Sequence, residues 1–429
     1  GARGQGGRLL VQQSTGHFYA TDTSVFGIDA ACEDVDAVFF DSNGDGHPDL
    51  YVVSGGNEET GSSVTLLDRL YLNDGKGHFL KTTNSLPPLF ENKSCAAAAD
   101  VDHDGDQDIF VGTLADARAY GIPQTSFLLL NDGKGKFSVA GNNIIPLSGI
   151  GIVTTGMFTD LDGDSWPDLV IAGEWMPVLV FMNRKGRFEL SEVKNSSGWW
   201  QALFSDDVNG DGYTDLLAGN YGWNNKFHSG KNGPVKMYVS DFDRNGHTDQ
   251  LLSYTFNGEE YPFLAKDEVE RALPLLRKHY LLYAEYADVP MKDVFYGWID
   301  TIKPKLAERM GSAVLYGDGK GGFEIADLPA GLQLSPIFSF QKVAEPGKNL
   351  YVTGGNFFDV IPYEGRYDAS ALALFEVSKN NTVTVIPQPG LSQAKGQVRD
   401  LKWVRTANNQ KLLVAGVNND SLKIYKLAK

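Results

Sequence analysis

The sequence predicts an all-β fold, a seven-bladed β-propeller of four-stranded blades with an inserted helical segment. Three observations lead to this prediction: an aspartate-rich loop occurs five times, short apolar runs flank each loop, and a glycine-rich hairpin motif occurs four times. A repeat fold can use its whole length as one unit. We therefore expect residues 1–429 to form a single domain.

The five acidic loops share one register, which begins with the stretch "DSNGDGHPD" at residue 41. The loops, numbered first to fifth below, span residues 41–49, 100–108, 160–168, 207–215 and 241–249. Each carries Asp at position 1, Asp or Asn at positions 3 and 5, and Asp at position 9; position 6 is Gly except for Ser165. Oxygen ligands at alternate positions of a tight loop suit a hard cation such as calcium. Solvated Asx-turns are the alternative, but five loops in one register favour the cation.

The residues after each loop separate these loops from the calcium loops of helix-loop-helix sensors. Such a sensor needs a bidentate Glu at position 12 and a helix on each side. Here position 12 is occupied by apolar residues: Val52, Val111, Ile171, Ala218 and Leu252. The flanks, such as "AVFFD" and "DLYVVSG", are short apolar runs bounded by glycine, typical of buried strands. The predicted unit is strand, calcium loop, strand.

A second motif supplies two further strands to each unit. It reads "RLYLNDGKGHF" at 69–79 and recurs at 127–137, 178–188 and 313–323 as a strand, a glycine-rich turn and a strand that begins with Phe. The last copy contains Gly317, Gly319 and Gly322 in G-x-G-x-x-G spacing. It leads into "FEIADL" rather than a helix, so we reject a dinucleotide-binding loop.

Two more segments, from residues 339 and 401, keep the strands without the acidic loop and bring the count to seven units. We expect the N-terminal "RLLVQQSTGHFYA" to complete the last blade and close the ring, and the C-terminal "SLKIYKL" to be a third strand. The helical insertion is predicted at 256–310, with Pro274 as a break or second start. This insertion either serves packing alone or acts as a lid.

Composition limits the classes of partner. The formal net charge of -16 argues against nucleic acid and anionic lipid surfaces, which repel an acidic protein. No apolar run is long enough for a transmembrane segment, and the first residues look like a processed end. Cys32 and Cys95 precede two similar segments, and whether they pair stays open.

The loops of form D-x-[DN]-x-[DN]-[GS]-x-x-D resemble the FG-GAP/VCBS repeat family, whose calcium-loop propellers include the integrin alpha-subunit head. More closely, "DAVFFDSNGDGHPDLYVVSGGNE", "DRLYLNDGKGHF", "IAGEWMPVLVF" and "GGNFFDVIPYEGRYDAS" resemble the propellers of bacterial ASPIC/UnbV-type proteins, common in the Bacteroidetes. The resemblance implies an extracytoplasmic location, which is periplasmic, secreted or at the cell surface. It also implies calcium, about five ions here, held by side chains at positions 1, 3, 5 and 9 and a backbone carbonyl at position 7.

Carried onto this sequence, the implied calcium ligands are five sets, one for each loop. They are Asp41, Asn43, Asp45, His47 and Asp49; Asp100, Asp102, Asp104, Asp106 and Asp108; Asp160, Asp162, Asp164, Trp166 and Asp168; Asp207, Asn209, Asp211, Tyr213 and Asp215; and Asp241, Asp243, Asn245, His247 and Asp249. The second and third loops contribute the most carboxylates, so we expect them to bind calcium tightest.

A ligand is expected on the face opposite the calcium loops, because the connections between strands 2 and 3 of each unit are rich in aromatic and polar residues. The candidate ligand-binding residues are Glu174, Trp175, Trp199, Trp200, Tyr221, Trp223, Asn224, Asn356, Arg366 and Tyr367. Such a mixture suits a glycan or a peptide, with rings stacking on sugars and amides bonding hydroxyls. The alternative is that the tryptophans pack between blades.

These features favour a binding or adhesion module for glycan or extracellular protein ligands. The sequence contains neither G-x-S-x-G nor H-E-x-x-H, and no pairing of nucleophile and base can be assigned. A calcium-dependent polysaccharide lyase, with acid-base chemistry on the ligand face, is the alternative.

Overall fold

The computed structural model describes residues 3–13, 17–20, 24–227, 233–360, 365–406 and 408–426. Six antiparallel sheets follow one another along the chain, and in each the strands are hydrogen-bonded in sequence order. Apolar and β-branched runs between tight turns supply the strands. The all-β class predicted from the repeats is confirmed.

The first three sheets each carry one acidic loop between their first two strands. Their strands are, for sheet 1, Glu33–Phe40, Asp49–Gly55, Arg69–Asn73 and Phe79–Lys81; for sheet 2, Lys93–Ala99, Asp108–Thr113, Phe127–Asn131 and Phe137–Val139; and for sheet 3, Ile152–Thr159, Asp168–Met176, Leu179–Asn183 and Phe188–Glu192. A short strand, Gly198–Trp199, pairs with the second strand of sheet 3. A two-stranded ribbon, Ala115–Asp116 and Ala119–Pro123, leaves sheet 2 after its second strand.

The last three sheets differ in their connections. Their strands are, for sheet 4, Ala202–Asp206, Asp215–Gly219, Ala313–Gly317 and Phe323–Asp327; for sheet 5, Ile337–Glu345, Lys348–Gly355, Leu372–Val377 and Val383–Ile386; and for sheet 6, Val398–Arg405, Lys411–Val417 and Lys423–Lys426. The segment "SLKIYKL" thus supplies the third strand of sheet 6, as predicted.

The core lies between the sheets. First strands of neighbouring sheets contact each other from sheet 1 through to sheet 6. Each pair of sheets encloses its own apolar cluster; Phe110 of sheet 2 and Phe181 of sheet 3, both fully buried, lie in one of these. Gly156 faces Phe110, and a side chain there would collide with the ring. Burial of both faces explains why the second strands read as unbroken apolar runs.

The insertion is larger than predicted, because sheet 4 is interrupted between its second and third strands. Leu217 of its second strand pairs with Val314 of its third strand, although residues 220–312 separate these two strands in the sequence. This insertion holds a sheet of its own, ordered Glu259–Pro262, Asp249–Phe256, Val235–Ser240 and Lys305–Ala307. The fifth acidic loop therefore joins two strands of the insert sheet and does not belong to a blade in the chain-order series.

Helices cover the insert sheet. They span Lys266–Ala272, Tyr283–Tyr286 and Met291–Val294, with a 3-10 turn at Pro274–Lys278. Pro274 begins that turn just after the first of these helices ends, as the sequence predicts. Val269 and Met291 pack with Leu251 of the insert sheet in one buried cluster. These contacts give the helices a packing role; a lid function stays a prediction.

Two expectations and one open question have the following outcomes in the part of the chain that the structure describes. Six sheets follow in series, and a seventh blade is not confirmed. The N-terminal strands Leu10–Gln12 and Phe18–Ala20 pair with each other rather than completing sheet 6. Cys32 and Cys95 are buried free thiols, not a disulfide.

The described residues also form short helical turns outside the insertion, at Ser24–Gly27, Val64–Leu66, Ala330–Leu332 and Pro389–Ser392.

Sheets 1 and 6 meet across a cavity of about 450 Å³. Asp34 and Asp36 of sheet 1 and Asp400 of sheet 6 line it together with apolar side chains such as Phe39. The last sheet of the series thus lies next to the first. No helix of the described residues is long and apolar enough to cross a membrane.

Candidate functional site

The acidic loops and the glycine-rich turns lie at the same edge in sheets 1 to 4, as the sequence predicts. The link is the Asp at loop position 9. Asp168 accepts hydrogen bonds from the N–H of Leu161 in the loop, at 2.9 Å, and from the N–H of Asn183 before the turn, at 2.7 Å. Asp49, Asp108 and Asp215 bond the equivalent two N–H groups in their sheets. We call this edge the loop face.

Three of the buried position-9 carboxylates have raised pKa values. Burial raises the pKa of Asp108 to about 7 and the pKa of both Asp168 and Asp215 to about 6, against partial compensation by their backbone hydrogen bonds. Neighbouring aspartates in the same loops raise these values further. A cation held between the carboxylates would favour their ionised forms.

All five loops fold in the same way around position 5. In each, the N–H of the position-7 residue donates to the position-5 side chain, at 2.7 to 3.0 Å. Because of this bond, the position-7 residues have equivalent backbone positions in the five loops: His47, Asp106, Trp166, Tyr213 and His247. Each of these bonds closes an Asx-turn, the conformation that the sequence analysis gives as the alternative to a cation site.

The second and third loops have the geometry of a cation site. One carboxylate oxygen each from Asp100, Asp102 and Asp108 lies within 4.8 Å of the others, and the same holds for Asp160, Asp162 and Asp168. Two oxygens on opposite sides of a calcium ion are separated by about 4.8 Å, twice the usual bond length. Asp100 Oδ1 and Asp162 Oδ1 are buried without a hydrogen-bond partner. These orphaned oxygens fit a calcium ion.

The third loop differs from the second in having a fixed cationic neighbour. Arg184, in the glycine-rich turn of the same sheet, places Nη1 2.7 Å from Asp162 Oδ2 and 3.9 Å from Asp164 Oδ2. Among the described residues, no ion pair reaches the aspartates of the second loop. The sequence predicts that these two loops bind calcium tightest, and the guanidinium distinguishes the third loop from the second.

The first, fourth and fifth loops are less acidic. In the first loop Asn43 Nδ2 donates to Asp45 Oδ2 at 3.1 Å, and in the fourth Asn209 Nδ2 donates to Asp211 Oδ2 at 2.9 Å. The fifth brings Asp241, Asp243 and Asp249 within 4.8 Å of one another in the insert sheet. Internal hydrogen bonds partly satisfy the first and fourth loops without a cation.

The opposite edge of the sheets, here called the ligand face, holds a hydrogen-bonded group around Glu174. Its Oε2 accepts from the hydroxyl of Tyr120 at 2.5 Å, and its Oε1 accepts from Gln201 Nε2 at 3.3 Å. Trp175 Nε1 in turn donates to the Tyr120 hydroxyl at 2.9 Å. Burial raises the pKa values of Glu174 and Tyr120. Residues of sheets 2, 3 and 4 thus converge here.

Aromatic rings continue this group toward sheet 5. The Trp199 ring has edge contacts with Trp175 at 4.9 Å, Tyr221 at 5.2 Å and Phe227 at 4.7 Å between centroids. Tyr221 then meets Phe357 and Tyr367, each at 6.0 Å. We call these rings the aromatic cluster: Trp175, Trp199, Tyr221, Phe227, Phe357 and Tyr367. Trp199 Nε1 is buried and has no hydrogen-bond partner.

The remaining predicted ligand residues are placed differently. Trp200 is fully buried between sheets 3 and 4, with Nε1 donating to Ser196 O at 2.7 Å. Asn356 is also buried, bonded to Gly396 O and the Ser370 N–H. Neither can meet a ligand without unpacking. Trp200 points away from the ligand face because consecutive strand side chains alternate.

Three predicted residues stay at the surface. Trp223 and Asn224 are exposed, and Asn224 Nδ2 donates to Leu334 O at 3.2 Å. No ring contact joins Trp223 to the aromatic cluster among the described residues. Arg366 is exposed with its guanidinium 5.0 Å from the Phe358 ring.

Sequence reasoning missed Tyr120, Gln201, Phe227, Phe357 and Arg399. The Arg399 guanidinium lies 4.1 Å from the Phe338 ring and 5.2 Å from the Phe357 ring. Four of these residues sit in the connections or strand starts that the sequence assigns to the ligand face, so position was a usable signal. Arg399, in the strand "VRDLKWV", carries no motif that could have identified it.

Comparison with known families gives one match. Residues 41–111 and 160–218 match the FG-GAP-like repeat. These segments contain the first, second, third and fourth acidic loops, together with the strands beside them. A comparison with curated proteins finds no match.

Solved structures with similar coordinates are distant from this chain in sequence. An Agrocybe aegerita lectin, described as recognising non-reducing terminal N-acetylglucosamine, is 14% identical with a TM-score of 0.34 and covers 76% of this chain and 89% of its own. The Dos1 propeller is 11% identical with a TM-score of 0.39, covering 97% and 80%. BBS1N, solved in complex with ARL6DN, is 12% identical with a TM-score of 0.33, covering 92% and 91%. The repeat matches and the observed sheets support an FG-GAP β-propeller.

Proposed function

We propose that this chain is an extracytoplasmic calcium-binding β-propeller that acts as a binding or adhesion module for a glycan or an extracellular protein. One observation carries the proposal: hydrogen-bonding groups and aromatic rings from several sheets meet on the ligand face, away from the acidic loops. Apolar rings with a few converging polar groups are typical of ligand sites.

Calcium is assigned a structural role in this proposal. The five acidic loops would hold about five ions through the side chains at positions 1, 3, 5 and 9 and the carbonyl at position 7. The ion would neutralise carboxylates that already join each loop to the neighbouring turn, as Asp168 does. Binding to the folded state alone stabilises it by mass action. Extracellular calcium is concentrated enough to fill weak sites, which agrees with an extracytoplasmic location.

Catalysis is the weaker alternative. A polysaccharide lyase needs a base that can lose its proton near neutral pH. Burial raises the pKa values of both Tyr120 and Tyr221, so less of each is in the ionised form that could accept a proton near neutral pH. Glu174 is held by two donors, Tyr120 and Gln201. These features suit recognition better than proton abstraction.

An array of glycans and extracellular proteins, probed with and without a calcium chelator, tests this proposal. We expect saturable binding that weakens with chelator because the propeller loses stability. The matched variants Trp199→Phe and Trp200→Phe separate a ring of the aromatic cluster from a neighbouring ring of the core. The first should reduce ligand binding, whereas the second should lower the melting temperature. Release of an ultraviolet-absorbing glycan product would support the lyase instead.

A further inference from the structure

Arg399 has a geometry that suits anion recognition. Its guanidinium lies over Phe338, at 4.1 Å from the ring centroid, and beside Phe357, at 5.2 Å. Nη2 donates to Gln397 Oε1 at 2.8 Å, and the same Oε1 accepts the Phe358 N–H at 3.0 Å. The plane of the guanidinium is thus fixed by two rings and one hydrogen bond.

Most donors of this guanidinium remain available. An arginine carries five N–H donors, and among the described residues Arg399 has one hydrogen bond and no ion pair within 4.0 Å. The side chain is half-buried, and burial lowers its pKa. Asp359, which is exposed, and Tyr221 are the groups whose charges act on it. A guanidinium held this way, with no ion pair within 4.0 Å among the described residues, keeps donors for an anion.

Other cations of the ligand face are also placed on aromatic rings. Arg366 lies 5.0 Å from the ring of Phe358, and Lys226 Nζ lies 5.3 Å from the ring of Phe263. Phe263 stacks on Phe227 of the aromatic cluster at 4.4 Å. Two further cations thus lie beside partly buried rings, as Arg399 does.

We propose that Arg399 recognises a carboxylate of the ligand and that this ligand is an acidic glycan, a chain containing uronate sugars. The inference rests on the proposed glycan-binding function and narrows it to one chemical class. A planar guanidinium pairs with a carboxylate through two parallel hydrogen bonds. Tyr221 and Trp199 offer ring surfaces for the apolar faces of neighbouring sugars. An acidic peptide would use the arginine equally well but would leave these rings without a matching partner.

The test uses pairs of oligosaccharides that differ only in charge. Oligomers of galacturonate, mannuronate and hyaluronan are each titrated calorimetrically beside their carboxyl-reduced counterparts, in saturating calcium. The proteins are the full chain and its variants Arg399→Met, Arg399→Lys and Arg405→Met. Arg405 is the matched control because it is exposed at the other end of the same strand. Thermal unfolding confirms that each variant is folded.

We expect at least one uronate oligomer to bind tenfold or more tighter than its reduced counterpart. Arg399→Met should abolish that difference, Arg399→Lys should recover only part of it because lysine lacks the planar fork, and Arg405→Met should keep it. Equal binding of charged and reduced oligomers would overturn the inference while leaving glycan binding intact. A preference for the charged oligomer that persists in Arg399→Met would do the same. Binding of an oligoglutamate peptide but of no glycan would also overturn it. Failure of every glycan and protein probe would remove the proposed function as well.

Discussion

Arg184 Nη1 donates to Asp162 Oδ2 at 2.7 Å, so the third acidic loop has a cation of its own. A calcium ion at this loop would share Asp162 with the guanidinium or displace it. The second loop has the same four carboxylates at positions 1, 3, 5 and 9, and it has no such neighbour among the described residues. The structure therefore distinguishes two loops that have the same carboxylates at these four positions.

Removing this guanidinium should strengthen calcium binding at the third loop. We expect Arg184→Met to raise affinity there by about two- to fivefold, the range that exposed ion pairs give. Terbium luminescence excited through Trp166 measures metal binding at the third loop. The variants are made in the background Asp102→Ala, which weakens the second loop. Arg187→Met, in the same turn, is the control and should change nothing. An unchanged or weaker third site in Arg184→Met would contradict the competition.

Position 9 should matter for folding even without calcium. Asp108 accepts hydrogen bonds from Val101 and Asn131, so Asp108→Ala leaves two buried N–H groups without an acceptor. We expect a loss of about 2–4 kcal/mol in the free energy of unfolding, measured with urea in chelator.

The matched variant for that experiment is Asp104→Ala, in the same loop but exposed. It should change stability little in chelator and reduce the further stabilisation that calcium gives. If both variants lose the same stability in chelator, position 9 has no separate structural role.

Ser165 occupies a backbone conformation that favours glycine. Its φ is 69°, and the position-6 glycines of the other loops, such as Gly105 at 97°, share the positive sign. A side chain in this region costs roughly 1–2 kcal/mol. Ser165→Gly should therefore raise the free energy of unfolding by about 1 kcal/mol. Chemical denaturation measures the change, and a destabilised variant would show that the serine side chain contributes a compensating contact.

Asp36 should make stability depend on pH. Burial raises its pKa to about 6, while hydrogen bonds from the Ala96 and Ala37 N–H groups oppose the rise. Because the folded pKa lies above the unfolded value near 3.9, this contribution is fully present below pH 4. It is lost as pH rises through about 6.

The measurement is the free energy of unfolding from pH 4 to pH 8 in chelator, for the wild type and Asp36→Asn. The difference between the two curves isolates this carboxyl from the acidic loops. The wild type should lose stability over this range relative to the variant. Parallel curves would show that the pKa of Asp36 is the same in the folded and unfolded states.

Local patterns predicted most of the fold. The repeating Asp spacing and the glycine-rich turns identified the strands and placed loops and turns on one face, because both signals lie within a few residues of the structures that they form. The position of the fifth loop could not be predicted this way. Its flanking strands resemble any other unit, and only the distant pairing of Leu217 with Val314 shows that it lies in an insertion.

The ligand face was predicted in outline and corrected in detail. Trp199 and Tyr221 are partly buried in the aromatic cluster, whereas Trp175 of that cluster and the adjacent Trp200 are both buried in the core. Composition of a segment cannot say which of two neighbouring rings faces outward without the strand register. Arg399 was missed because its partners, Phe338 and Phe357, come from another sheet.

Separation of the calcium loops from the ligand face is the central claim, and one array experiment tests it. The glycan and protein array is probed in saturating calcium with the wild type, the double variant Tyr221→Ala/Arg399→Met and the loop variant Asp104→Ala. Thermal unfolding first establishes that all three proteins are folded. The account predicts that the double variant loses the wild-type ligands and that Asp104→Ala keeps them. Loss of binding in Asp104→Ala with full binding in the double variant would contradict it and place the ligand at the acidic loops.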